Sequence, residues 1–445
     1  MSVSDTIVAL ASGPLPSAIA LVRLSGPQVS TVMATYLAVD RMEPRKATLA
    51  FLQDTDGQRI DQVVATYFKG PESYTAEDVL ELGLHGGRAV VARALDVLTR
   101  LEGVRLAEPG EFTRRAVLAG RLDLLEAEGV ADLVDAETES QREQALTQLS
   151  GGNSSVFESW HRQLIETMAL IEVALDFPDE EDTPDFTLDP VIERLESLCE
   201  ALTEAASGAR AAMQIRDGFS IALIGPPNAG KSTLLNRLAA RDVAIVTNTP
   251  GTTRDVIEVR LNLRGRLVRV SDTAGLRHGV DNRIEAEGIR RAVKSAKEAD
   301  LVIGVLDGSR QWAFPDAFAD IDLDILVANK ADIFDAPQSV SRETLRLSAH
   351  TGAGVDGLID QVISFMDARK ARHRDPVITR QRHLDGIKSA IESLKKAQIA
   401  LQSGLGPELA AEDIRLAGRS LERILGRVDV EDILGSIFSS FCIGK

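Results

Sequence analysis

The sequence predicts a multidomain chain mixing α/β and α+β architecture: a doubly wound P-loop domain inserted into an all-α helical domain, with a small α+β domain ahead of both. Three observations predict it. Residues 218 to 233, Gly-Phe-Ser-Ile-Ala-Leu-Ile-Gly-Pro-Pro-Asn-Ala-Gly-Lys-Ser-Thr, pass from strand formers through a glycine loop into helical spacing, the order a phosphate-binding loop needs. Short strand-like runs separated by turn residues fill the chain before it, and helical periodicity flanks it on both sides, over residues 110 to 216 and 383 to 440. The expected boundaries are 1–118 for the α+β domain, 119–216 and 371–445 for the two helical parts, and 217–370 for the P-loop domain.

The first domain reads as strands at Thr6 to Ala11 and Ala18 to Leu24, kept apart by Ser-Gly-Pro-Leu-Pro, with a helix free to start after Gly26-Pro27. Ala47 to Leu52 and Gln62 to Phe68 flank Asp54-Thr55-Asp56-Gly57 and predict a hairpin. Asp78 to Leu84 predicts a further strand, and Arg88 to Arg100 a helix. From Gly110 onward Ala116, Leu118, Leu122, Leu125, Val130, Leu133 and Val134 recur at helical spacing. Two prolines and a charge run at 177–184 must interrupt that region.

Composition bounds the function. At 445 residues the chain exceeds one core, and about two to four domains are expected. Fifty basic against sixty-seven acidic residues give a net charge of −17, which argues against a broad basic nucleic-acid surface. The basic run within 368–383 (Arg369, Lys370, Arg372, His373, Arg374, Arg380, Arg382, His383) is the exception. It suits either nucleic-acid phosphates or a solvated linker. Two cysteines, Cys199 and Cys442, lack metal-ligand spacing and fit a reducing compartment. The N-terminus fits neither a secretory signal nor a transit peptide, and no apolar run reaches the length of a membrane span, so a cytoplasmic protein is expected. His85, His161, Trp160 and Trp312 are isolated and predict ordinary structural roles.

In the P-loop, Gly225 and Gly230 let successive N–H groups turn inward on a phosphate, the following helix adds its positive end, and Lys231 adds a mobile charge. Ser232 is placed to put a hydroxyl on magnesium. Strands then follow at Val256 to Leu263, Leu267 to Ser271, Leu301 to Asp307, Ile325 to Asn329 and Leu345 to Ala349, a doubly wound sheet with its ligand at the carboxyl ends. Asp272-Thr273-Ala274-Gly275 closes one strand, where Asp272 can reach the magnesium shell and Gly275 can offer its N–H to a γ-phosphate. Thr252-Thr253-Arg254-Asp255 occupies the place of a switch loop. Asn329-Lys330-Ala331-Asp332 reads the base: a carboxylate accepts from guanine N1 and its amine, a pattern adenine lacks. Ser348-Ala349 can close the other side. Leu276 stands where a Ras-type enzyme has a water-orienting glutamine, so hydrolysis needs other groups.

These residues resemble the TrmE-Era-EngA-like GTPases. The distributed matches narrow this to the MnmE (TrmE) family of tRNA-modification GTPases: Pro227-Asn228-Ala229-Gly230-Lys231-Ser232, Ala244-Ile245-Val246-Thr247 leading to Gly251-Thr252-Thr253-Arg254-Asp255, Asp272 to Arg277, Leu82 to Gly87, Pro109-Gly110-Glu111-Phe112-Thr113, and the ending Phe438 to Lys445. The resemblance implies GTP contacts from Asn228, Ala229, Gly230, Lys231, Ser232, Thr233, Thr247, Thr252, Thr253, Asp272, Gly275, Asn329, Lys330, Asp332, Ser348 and Ala349. It implies potassium held by Asn228, Thr247, Thr249 and Thr252, and magnesium held by Ser232 and Thr253. Catalysis falls to Lys231, Asp272 and Glu285, the last orienting water once two GTPase domains meet. The loop before it is one residue longer than the family pattern, which leaves Glu287 as the competing carboxylate.

The resemblance also implies a folate-binding, dimerising first domain, with Arg23, Glu81, Arg121 and Lys445 on a reduced folate (5-formyl- or 5,10-methylene-tetrahydrofolate). A lysine is also seen at the position of Arg121, so charge is kept while geometry differs. Cys442 does not fit a prenylation motif, since Gly444 and Lys445 follow it. The resemblance places it near the modification chemistry, with an active and a packing role both open. The implied partners are a second copy of the chain, the flavoprotein MnmG and tRNA. The implied product is a carboxymethylaminomethyl or aminomethyl group at C5 of the wobble uridine. A ribosome-assembly GTPase shares the Asn-containing P-loop but lacks such a first domain and the Cys-Ile-Gly-Lys ending. Septin- or dynamin-like mechanics would need a membrane-binding stretch.

Overall fold

Period-two burial explains the first sheet. Strands β1 (Thr6–Leu10), β2 (Ile19–Ser25), β3 (Thr48–Gln53), β4 (Arg59–Phe68), β5 (Val79–His85) and β6 (Val104–Leu106) form one sheet in the order β3-β4-β5-β2-β1-β6. All pairs are antiparallel except β1 with β6. Val8, Ala20, Val22, Leu24, Leu52, Val63, Ala65, Leu80 and Leu82 point to one face. There they pack with α1 (Val29–Tyr36) and α2 (Arg88–Leu98), each fully buried Val or Leu contributing about 1.5–3 kcal/mol. Ile7 and Ala9 point to the other face and meet Phe112 of α3 (Glu111–Leu118). The hairpin turn is set by Asp54, whose Oδ1 accepts from the N–H groups of Asp56 and Gln58. Strand β6 carries no sequence signal of its own; three residues pairing with β1 are too few to show alternation.

The computed structural model describes residues 5–37, 39, 42–176, 188–241, 244–245, 258–272, 282–310, 314, 316–334, 344–370, 377–403, 406–428, 431–439 and 441–444. Helices α4 (Leu124–Val134), α5 (Glu139–Leu149), α6 (Gly152–Asp176) and α7 (Asp189–Asp217) follow the first domain. Proline opens α7, where a missing N–H costs no helical hydrogen bond, and Gly218 ends it at φ 91°. The expected break at 177–184 lies outside the described residues.

The second sheet comprises β7 (Phe219–Ile224), β8 (Ala244–Ile245), β9 (Glu258–Leu263), β10 (Arg266–Asp272), β11 (Leu301–Asp307), β12 (Ile325–Asn329) and β13 (Leu345–Arg346). Their order is β13-β12-β11-β7-β10-β9-β8, parallel from β13 to β10 and antiparallel beyond. Helices α8 (Lys231–Arg241), α9 (Asn282–Glu298) and α10 (Val355–Lys370) interleave with the strands. Leu234, Leu235 and Leu238 of α8 and Leu358, Ile359 and Val362 of α10 cover Ile221, Leu223, Val270, Ile303 and Val305 on one face. Ala292 and Ala296 of α9 cover Ala222, Ile224 and Val302 on the other. Helices on both faces make β11 buried along its whole length and give the doubly wound arrangement. The last expected strand stops at Arg346, because Ser348 and Ala349 leave the ladder for side-chain and turn partners.

Helices α11 (Gln381–Gln402), α12 (Pro407–Leu425) and α13 (Glu431–Ser439) complete the chain. The chain order is therefore α+β, helices, α/β sheet, helices, as the sequence predicts. Compact packing groups Met1–Ala131, Gln148–His161 and Gly418–Lys445 into one unit, and Asp132–Thr147 with Arg162–Ala417 into another. Within the first unit Leu434, Phe438 and Phe441 pack on Leu124 and Ala127, and Ile443 bridges to Pro109.

Candidate functional site

The loop after β7 is shaped by backbone conformations that few residues accept. Gly225 and Gly230 have φ of 149° and 93°, and Asn228 adopts a left-handed φ of 59°, which asparagine tolerates better than most residues. A Cβ on Gly230 would collide with the amide nitrogen of Asn329, so that position is closed to any other residue. Lys231, almost buried, donates from Nζ to the carbonyl oxygens of Gly225 (2.8 Å) and Pro226 (2.9 Å). Its ammonium is thereby held over the loop that α8 closes. Ser232 and Thr233 stand in the first turn of α8, and the Asn228 side chain is exposed.

The base turn is built against the same loop. Asn329 is 2 % exposed; its Nδ2 donates to Ala229 O (2.8 Å), and its Oδ1 accepts from Ala349 N (2.9 Å). One side chain thus ties the phosphate loop to both halves of the expected base pocket. Lys330 has a left-handed φ of 69° and sends its Nζ 2.7 Å from Asp307 Oδ2. Asp332 is exposed, and a hydrogen bond from the Ser348 hydroxyl lowers its carboxyl below the ordinary range, so it stays an acceptor at neutral pH. Arg237 of α8, which carries no sequence signal, donates through Nε to Ala349 O (3.0 Å) and through a second nitrogen to His350 O.

Asp272 ends β10 beside Leu223 of β7, and Glu285 and Glu287 fall in the first turns of α9; the side chains of all three lie outside the described residues. So do Thr247, Thr249, Thr252, Thr253, Gly275, Leu276 and Lys445. The structure brings together Asn228, Ala229, Gly230, Lys231, Ser232, Thr233, Asn329, Lys330, Asp332, Ser348 and Ala349 on one rim of the second sheet.

On the first domain Arg23 and Glu81 are direct cross-strand neighbours, with Nη2 to Oε1 at 2.7 Å. The Arg23 guanidinium also lies over the rings of Tyr74 (5.6 Å) and Phe112 (5.8 Å). Arg121, by contrast, is exposed just past α3. Cys442 is exposed and accepts at its carbonyl from Gly110 N (3.4 Å), which puts the tail at the start of α3. A buried network without a spacing signal in the sequence lies in the same domain. Glu111 binds Arg105 and Arg115, and Arg115 also binds Glu77. Burial pushes the Glu111 carboxyl up, but the two guanidinium groups and the Glu108 N–H outweigh it and bring it down to about 2. Its signal in the sequence is the Pro109-Gly110-Glu111-Phe112-Thr113 motif, which contains Glu111 but none of its arginine partners. His85 pairs with Asp61 (2.7 Å) and His161 with Glu422 (3.0 Å), both structural contacts.

A phosphate loop capped by its own lysine, and an Asn-Lys-x-Asp turn fastened to it across a parallel sheet, define the class: a P-loop GTPase, a hydrolase of GTP. Family models then cover nearly the whole chain. One described as the MnmE helical domain matches residues 124–442, and one described as the GTP-binding protein TrmE N-terminus matches residues 6–121. A tRNA modification GTPase MnmE from Hyphomonas neptunium is 51% identical over 446 residues, covering 100% of both chains. Its counterpart from Maricaulis maris is 46% identical, covering 99% of this chain and 100% of its own. A solved GTP-binding protein from Sulfolobus solfataricus, in complex with GDP, aligns over 47% of this chain and 67% of its own at 16% identity and a TM-score of 0.25, and bears on neither site nor function. The chain belongs to the MnmE family of tRNA modification GTPases.

Proposed function

We propose that this chain couples GTP hydrolysis to modification of the wobble uridine (position 34) of certain tRNAs at C5, giving a carboxymethylaminomethyl or aminomethyl group, together with the flavoprotein MnmG. The observation that carries the reading is full-length likeness: relatives named tRNA modification GTPase align over the whole chain, flanking domains included. The match over residues 6–121 counts against a ribosome-assembly GTPase, which lacks that domain.

In this reading the domain boundaries are 1–118, 119–216, 217–370 and 371–445. Lys231 holds the β- and γ-phosphates, Asp332 fixes guanine, and Asn329 keeps the two subsites in register. Magnesium and potassium, when bound, neutralise charge developing between the phosphates. Ser232, Thr253 and Asp272 belong to the magnesium shell. Asn228, exposed and at a left-handed φ of 59°, offers its amide oxygen to potassium, with Thr247, Thr249 and Thr252 as the other ligands. Gly275 offers its N–H to the γ-phosphate, and Glu285 orients water when two GTPase domains of a homodimer meet. A reduced folate supplies the one-carbon unit and is held by Arg23, Glu81, Arg121 and Lys445. The Arg23 guanidinium, already oriented by Glu81 and two rings, suits a glutamate-tailed pterin. Cys442 stands on that same domain. The work is cytoplasmic, where tRNA is modified.

Nucleoside analysis of tRNA from a strain lacking this gene, with and without its return, tests the reading. Loss of the C5 modification at position 34, restored by the gene, is expected. Unchanged wobble uridines would sink it.

A further inference from the structure

We propose that Asp307, at the end of β11, is a positioning residue for guanine: it holds Lys330 so that the lysine stem is a pre-set apolar strip for the base. The inference rests on the GTPase reading and adds to the pocket a residue outside the Asn-Lys-x-Asp and Ser-Ala segments.

Asp307 is 8 % exposed, so its carboxylate needs partners for every lone pair it turns inward. It has them on two sides. Oδ1 accepts from Ser309 N (3.0 Å) and from the Ser309 hydroxyl (2.6 Å), which fixes the carboxylate plane. Oδ2 is left for the Lys330 ammonium at 2.7 Å. Arg310, 76% exposed, has its Nε 3.6 Å away, beyond hydrogen-bond distance, and does not replace the lysine. The next residue fastens the same corner: Gly308 N donates to Asn329 O (2.9 Å), and a Cβ on Gly308 would enter the Phe334 ring.

Asp307 and Asn329 are direct partners on neighbouring parallel strands. A lysine that follows Asn329 and ends on Asp307 therefore lies across the strand ends instead of extending along its own. The left-handed turn at Lys330 is what swings the stem sideways. Its four methylenes are then held flat at the rim that carries Asp332 on one side and Ala349 on the other. Guanine has a polar edge, which Asp332 reads, and an apolar face, which needs a surface. A free lysine would have to surrender its rotamers to supply one; the Asp307 pair has surrendered them beforehand. Charge is the device, because a long flexible amine is anchored best at its tip.

The test is a double-mutant cycle read by binding of a fluorescent GDP analogue and by steady-state GTP hydrolysis. Asp307→Asn keeps the shape and removes the anchor. It is expected to weaken GDP binding and raise KM for GTP by about three- to tenfold, the range for one side chain losing its order, with kcat at saturating GTP within about twofold. In a Lys330→Met background the same Asp307→Asn change is expected to have no further effect on GDP affinity, since the anchor already has nothing to hold. Thermal melting of each variant separates a folding defect from a binding defect. Unchanged GDP affinity in Asp307→Asn would overturn the inference, as would an equal loss in both backgrounds. A wild-type chain that bound GDP no better than ADP would remove the GTPase reading along with it.

Discussion

Glu111 shows how far one side chain in this protein departs from its behaviour in water. Its two oxygens accept from Arg105, Arg115 and the Glu108 N–H, and the carboxyl falls from 4.5 to about 2. A depressed carboxyl adds stability that is fully present above its unfolded value and is lost as pH falls through its folded one. The window therefore runs from pH 4.5 down to about 2. Converting that difference gives ~3 kcal/mol. Urea unfolding followed by a probe on the N-terminal domain is expected to show this acid limb in the wild type, and a flatter, lower curve in Glu111→Gln. Identical pH dependence in the two proteins would show that the network does not hold Glu111 as described. Asn329 is the comparable residue in the second unit, where both ends of one amide are committed, to Ala229 and to Ala349. The sequence announced Asn329 through its motif, whereas Glu111 needed the fold, because its partners come from β6 and from the next turn of its own helix.

At the level of elements, the long helix α7 and the strand β7 meet through one carboxylate. Asp300, just before β11 and 11% exposed, accepts at Oδ2 from Ser220 N (3.0 Å) and the Ser220 hydroxyl (2.8 Å). At Oδ1 it accepts from Arg210 (2.8 Å) and Gln214 (2.7 Å) of α7. Burial raises its carboxyl, but the Ser220, Arg210 and Gln214 bonds win and leave it lowered. Asp300→Ala strands the Ser220 N–H and is expected to cost about 1–3 kcal/mol. A urea midpoint shifted at unchanged slope is the measurement, and a midpoint within error of the wild type would refute it. Strands β7, β11 and β12 were legible because their apolar runs are short and bounded. Strand β8, with two residues, offered no period to read. Strand β13 is shorter than its apolar pattern suggests because Ser348 and Ala349 leave the ladder, their N–H groups donating to Ala353 O and to Asn329 Oδ1, contacts invisible to local pattern.

For the whole molecule, a net charge of −17 argues against a broad basic surface for nucleic acid. If Asn228 helps to hold potassium, GTP hydrolysis in potassium is expected to exceed that in sodium by tenfold or more on the order of one arginine-finger-like charge, and Asn228→Ala should erase the difference. Equal rates in the two salts would argue against a cation at this loop. Among the described residues no helix is long and apolar enough to cross a membrane. The basic run within 368–383 is only partly described; within it Arg380 is paired with Asp132 at 2.7 Å, which favours a structural role for that residue.

By itself the sequence determined the class of site and the order of domains. A phosphate loop and an Asn-Lys-x-Asp turn are local devices whose chemistry lies in consecutive residues, and helical or alternating periods are local as well. Only the tertiary structure decided which residues cooperate across the chain: Asn329 with Ala229, Arg237 with Ala349, Asp307 with Lys330, Arg23 with Glu81, and Cys442 with the start of α3. Those pairings follow from strand order and register, which bring together residues far apart in sequence, and no spacing along the chain records them.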